Sequence, residues 1–173
     1  MSDLSVTILP EQPEDAGPIE RLHERTFGPG RYARTAYRIR EQIAHRLDLS
    51  YTARVGTLLV GSVRLTPVRI GATPALLLGP LTIEPPFRER GIGQALMERA
   101  LDAARQQGHR LVVLVGDEPY YRKAGFKRIP GGQVKLDCPV DPARMLVAEL
   151  VEGASKDLTG VVRPDWDAVE DRA

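Results

Sequence analysis

The chain has 173 residues, of which 42% are hydrophobic and 27% charged, with a formal net charge of +1. That length suits one domain, and roughly 70% of its surface can be buried on folding; the composition excludes a disordered or membrane-embedded chain, and the near-zero charge gives no global pull toward nucleic acid. The single cysteine, Cys138, rules out an internal disulfide and a cysteine-cluster metal site, which fits a reducing cytoplasm.

In chain order, Ser5 to Leu9 reads as a first strand, closed by Pro10. The opening residues carry no basic region ahead of an apolar run, so no secretory leader is expected. Ala16, Ile19, Leu22, His23 and Phe27 keep helical spacing between Pro13 and Phe27, and Gly28-Pro29-Gly30 stops that pattern. A second helix is expected from Arg34 to Arg46. Residues 21–46 hold seven arginines against two glutamates, Glu24 and Glu41. Such a run reads as a solvated helix face; the alternative is a rim that attracts an anionic ligand.

Three β segments follow, Tyr51–Val55, Leu58–Ile70 and Ala75–Ile83, with turns short enough for antiparallel neighbours. The last is the longest apolar stretch, and it falls well short of the ~18 residues needed to span a bilayer. A long helix then runs from Gly91 to Gln107, with Ile92, Leu96, Ala100 and Ala104 along one face and Gly108 as its stop. Leu111 to Val115 is unbroken apolar sequence, as in a strand covered on both faces. Residues 75–115 therefore read as strand, helix, strand, with a right-handed parallel crossover. A short helix near Glu118–Lys123, a strand from Phe126, a turn at Pro130-Gly131-Gly132 and a strand over Arg144–Leu150 complete a domain of residues 1–150. The tail, 151–173, has six acidic and three basic residues and one aromatic, Trp166, so loose packing is expected there.

Chemistry concentrates between Leu78 and Leu96, where a buried strand ends, arginines follow, and two glycines stand at the mouth of a helix. The first amides of a helix lack intrahelical partners and its dipole adds positive charge, so this is an anion site. Arg88 and Arg90 add charge-assisted donors. A dinucleotide fingerprint needs a third glycine where Leu96 stands, and no Gly-Lys-Ser/Thr exists for a P-loop.

Arg88-x-x-Gly91-x-Gly93 instead resembles the Arg/Gln-x-x-Gly-x-Gly/Ala motif of the GNAT N-acetyltransferase superfamily. Leu-Gly-Pro-Leu-Thr-Ile-Glu-Pro precedes it, and Asp117 to Phe126 resembles the family's Tyr-x-x-x-Gly-Phe segment. Within the superfamily the chain looks most like a bacterial branch of predicted acetyltransferases with a Val-Gly-Asp-x-x-Tyr-Tyr segment, here Val115 to Tyr121. The resemblance implies a mixed, mostly antiparallel α/β sheet splayed between its fourth and fifth strands, with helices on both faces. It implies acetyl-coenzyme A as donor and a primary amine, on a small molecule or a protein, as acceptor, joined by direct attack in a ternary complex.

By the same resemblance, the amides of Arg88, Glu89, Arg90, Gly91, Ile92, Gly93 and Gln94 hold the pyrophosphate. The backbone of Leu81, Thr82 and Ile83 pairs with the pantetheine arm. Pro80 donates nothing to a ladder, so a bulge or splay is expected beside these residues. Tyr121, four residues before Gly125, takes the place of the family's general acid, with Tyr120 as competitor; a phenol (pKa about 10) is protonated at neutral pH. Glu84 is the expected base, acting through water, with Asp117 as runner-up. Many members carry an asparagine before the tyrosine, where this chain has Gly116-Asp117. His23, His45 and His109 lack metal-site spacing. Two other classes remain open: an acyl-coenzyme A sensor or partner module with little catalysis, and a nucleic-acid-associated protein using the arginines of 21–46. No nucleic acid or membrane partner is expected on the main reading, exposed strand edges allow a homodimer, and an acidic acceptor would be drawn by Arg31, Arg34 and Arg38.

Overall fold

The computed structural model describes residues 5–130 and 133–170, so Gly131 and Gly132 of the expected turn and the last three residues of the tail lie outside the described residues. The strands β1 (Val6–Pro10), β2 (Tyr51–Val55), β3 (Leu58–Ile70) and β4 (Thr73–Ile83) form an antiparallel series. Between β1 and β2 come the helices α1 (Ala16–Phe27) and α2 (Thr35–Arg40). After β4, α3 (Ile92–Gln106) crosses to β5 (Leu111–Val115), which lies parallel to β4. The short α4 (Glu118–Tyr121), β6 (Lys127–Arg128), β7 (Val134–Lys135), β8 (Met145–Glu149), β9 (Gly160–Pro164) and a final helical turn, α5 (Asp167–Glu170), complete the fold. The sheet runs β1-β2-β3-β4-β5-β8-β6, with β9 pairing β3 and β7.

Alternation along β3 divides the core. Val63 and Leu65 pack with Leu96, Met97 and Ala100 of α3 on one face, whereas Val68 and Ile70 pack with Ile39 and Ile43 on the other. Helices thus cover both faces of the mixed sheet, as expected. The splay is present too. β4 and β5 pair only at Leu76↔Val112 and Leu77↔Val113, although β4 continues to Ile83. Just past that point the β3–β4 register jumps, with Leu65 opposite Leu78 and Val63 opposite Leu81. Gly79 and Pro80 together therefore face Arg64 alone, which is the bulge a proline without an N–H favours.

Three expectations change. The helix expected over 34–46 ends at Arg40, because the chain turns so that the Arg46 N–H reaches the Leu65 carbonyl at 2.8 Å. The strand expected from Phe126 shrinks to Lys127–Arg128, with Phe126 itself buried in the core. The third correction concerns the tail, which is not loosely packed. β9 pairs antiparallel with Val68–Ile70 of β3, and Leu158 and Val162 are each only 2% exposed. Gly71 (φ +58°) and Gly160 (φ +135°) let the β3–β4 turn and the tail lie backbone to backbone; a Cβ on either would come within 2.5 Å of the other segment. Among the described residues, no helix is long and apolar enough to cross a membrane.

Candidate active site

The turn from β4 into α3 is shaped by two residues with left-handed backbone, Glu89 (φ 63°) and Gly91 (φ 81°). Gly91 caps α3, whose first hydrogen bond runs from the Ala95 N–H to the Gly91 carbonyl at 3.0 Å. Among the described residues no carbonyl accepts from the N–H groups of Glu89 to Gln94. Six consecutive amides are therefore available to an anion, at the positive end of a 15-residue helix. Left-handed backbone at a non-glycine residue such as Glu89 costs energy and tends to persist at ligand-binding loops. Arg88 Nε donates to the Ile83 carbonyl at 3.1 Å, which ties the turn to the end of β4.

A cavity of about 660 Å³ opens beside this turn. It gathers Leu81, Thr82, Ile83, Arg88, Glu89, Gly91, Ile92, Gly93, Gln94 and Tyr121 of the expected site. Arg90 and Glu84 are not part of its lining. Phe27, Phe87 and Lys123, which the sequence did not single out, complete the walls with Thr26 and Tyr120. The buried Thr26 and Thr82 hydroxyls have no hydrogen-bond partner among the described residues. Gly93 is needed for space, since a Cβ there would collide with the Tyr120 hydroxyl. Gln94 Nε2 holds the Tyr120 carbonyl at 3.1 Å, locking α4 to the first turn of α3.

Tyr121 stands at the end of the gap between β4 and β5. Its ring packs edge-on against Tyr120 (5.0 Å between centroids) and Phe126 (6.0 Å). It also presses against Gly116, where a Cβ would strike the ring. Burial, then the Tyr120 hydroxyl, push the Tyr121 phenol up to about 12, while the charges of Arg34 and Arg144 act the other way. Burial raises Tyr120 as well. Glu84 lies at the foot of β4, with Oε1 engaged by Arg25 Nη2 of α1. Asp117 is 80% exposed and pairs with Arg144 at 3.6 Å.

A second cavity of about 290 Å³ shares Tyr121 and Leu81 with the first and extends through the splay. Gly79 and Pro80 of the bulge line it, together with Arg34, Cys138, Asp141 and Arg144. Past Thr35 and Cys138 it adjoins a further hollow of about 250 Å³, walled by Arg38 and Trp166. Arg31, expected to face the acceptor, instead pairs with Glu20 at 3.0 Å and donates to the Gly28 carbonyl. The arginine-rich stretch is largely committed to the fold: Arg25 and Arg46 pair with Glu84 and Asp48, and Arg40 stacks on Tyr37. His23 is fully buried, with Nδ1 2.6 Å from the Tyr37 hydroxyl; burial, then the Arg64 and Arg40 charges, drive its pKa down to about 3, so it is a neutral core residue.

Residues 48–128 match the family model described as an acetyltransferase (GNAT) domain. That segment spans the splay, the anion turn and Tyr121. Over that segment the chain is similar to the GNAT acetyltransferases. Along its length the chain is 27% identical to the uncharacterized N-acetyltransferase YhbS of Escherichia coli over 154 residues, covering 88% of this chain and 92% of that protein. The crystal structure of Escherichia coli YhbS in complex with CoA superposes with a TM-score of 0.80 at 24% identity, covering 95% and 92% of the two chains. A GNAT acetyltransferase of Brucella melitensis in complex with acetyl-CoA superposes at 0.68 with 25% identity, covering 95% and 98%.

Proposed function

We propose that this protein is a GNAT acetyltransferase, which transfers an acetyl group from acetyl-coenzyme A to a primary amine by direct attack in a ternary complex. The observation that carries the reading is that one phenol, Tyr121, lines both the cleft at the anion turn and the pocket in the splay. The CoA and acetyl-CoA held by the two structural relatives support the choice of donor.

The cleft fits such a donor. The amides of Glu89 to Gln94, with Arg88 and Arg90 beside them, suit a diphosphate. Leu81, Thr82 and Ile83 border the cavity as the strand against which a pantetheine arm would lie. Bound there, acetyl-coenzyme A supplies an activated acyl group. In the transfer the C–N bond forms as the C–S bond breaks. Tyr121 gives its proton to the departing sulfur, and the proton shed by nitrogen leaves through the acceptor pocket to solvent. A phenol raised to about 12 stays protonated until charge builds on the sulfur. Arg34 and Arg144 then offset the phenolate charge. We assign Glu84 to anchoring α1 through Arg25, outside the proton path.

The direct test is thiol release from acetyl-coenzyme A on addition of amines, run beside a thermal shift. Donor at 100 times its dissociation constant should stabilise the protein by about 2.7 kcal/mol. The engagement of Glu84 by Arg25 also favours a second reading, a sensor of acyl-coenzyme A. A shift without turnover on any amine would support the sensor, and no shift would remove both readings.

A further inference from the structure

The pocket in the splay carries a charge pattern that the anion turn does not explain. Arg34 and Arg144 both line it, near enough for the charge of one to act on the other. The Arg34 guanidinium lies 4.1 Å over the Phe27 ring, which fixes its direction without neutralising it. Among the described residues no carboxylate pairs with Arg34. Among the described residues, the one carboxylate paired with Arg144 is that of the exposed Asp117, at 3.6 Å. One acid, Asp141, also lines the pocket, and its Oδ1 accepts from the Ala143 N–H at 2.9 Å. A cavity of about 290 Å³ with two cations and one carboxylate suits a small zwitterion better than a long apolar amine.

We propose that the acceptor is a small amino acid, its carboxylate held by Arg34 and Arg144 and its amine turned toward Tyr121. The inference rests on the acetyltransferase reading and adds the acceptor class. A planar guanidinium matches a carboxylate in bidentate fashion. The same two cations disfavour the ammonium form of the bound acceptor, so the nitrogen sheds its proton to solvent more readily before it attacks. That accounts for a site in which Glu84 is tied to Arg25 and Asp117 faces solvent.

The test pairs a set of amino acids with their carboxamides as acceptors. It also titrates each compound calorimetrically into the protein saturated with coenzyme A, a readout that needs no turnover. Amino acids should show kcat/KM at least tenfold above their amides. Arg34→Gln and, separately, Arg144→Gln should raise the amino acid KM at least tenfold, with coenzyme A affinity kept within threefold. Amides used as well as acids, or a lysine peptide preferred with both variants unaffected, would overturn the acceptor class and leave acetyl transfer standing. Amino acid binding that is lost in Arg34→Gln, without transfer to any amine, would uphold the pocket and sink the transferase reading.

Discussion

From Leu81 to Gln94 one continuous stretch supplies most of the proposed donor cleft, and the working groups we assign to it are main-chain amides at a helix entrance. The acceptor pocket is assembled from Arg34 ahead of α2, the β4 bulge, the end of β5, and Asp141 and Arg144 ahead of β8, and its working groups are side chains. Backbone amides can be replaced only by changing the path of the chain, whereas side chains can be exchanged one by one. A donor common to many enzymes is thus met by geometry, and a particular acceptor by residues free to vary. Tyr121 is where the two constructions touch.

Because it serves both sides, Tyr121→Phe should give the largest effect, a fall in kcat of about 10² with donor affinity unchanged, since a positioned general acid contributes on the order of 10²–10⁴. Steady-state kinetics beside calorimetry with coenzyme A checks this, and unaltered turnover would remove the phenol from the mechanism. Gly116→Ala pushes on the same ring from the residue just past β5, bringing a Cβ to 2.9 Å from Cδ2 and closer still to Cε2. It should cost about tenfold in kcat, again without weakening the donor. Gly91→Ala acts on the donor side alone. A side chain at φ 81° costs about 1–2 kcal/mol, so donor affinity should drop roughly tenfold while the acceptor KM stays put. Were the acceptor KM to move as much as donor affinity, the two regions would not be separable. Glu84→Gln should change kcat by less than about threefold, because its carboxylate anchors α1; a loss of about 10² would restore it as the base. The smallest effect is on pH. A phenol raised to about 12 is still protonated well above neutrality, so kcat should show no falling limb up to about pH 10. A limb centred at or below that value would mean that the site does not hold the proton as its burial implies.

The sequence revealed the donor side far more fully than the acceptor side, for a physical reason. The Arg88-x-x-Gly91-x-Gly93 spacing is a local statement about backbone, and Pro80 announces a bulge within its own strand. The antiparallel run from β2 to β4 followed from turn length, and the parallel step to β5 from the crossover through α3. Nothing local marks Asp141 or Arg144 as neighbours of Tyr121; tertiary packing brings them there. The same limit explains the tail. Six acids in 23 residues conceal Gly160–Pro164, whose burial depends on the β3–β4 turn some ninety residues earlier. Glu84 sits one residue past the cofactor strand in sequence, yet Arg25 of α1 claims it, an ion pair that no motif foretells.

Trp166 is the chain's single tryptophan and Cys138 its single thiol. The packing of β9 sets the indole, about half exposed, in the hollow that adjoins the acceptor pocket, and Cys138 lines both. The wild-type protein therefore carries an intrinsic fluorophore and a unique labelling handle on the acceptor side. Events there can be followed optically in the unmutated chain, without background from the nucleotide end of the donor.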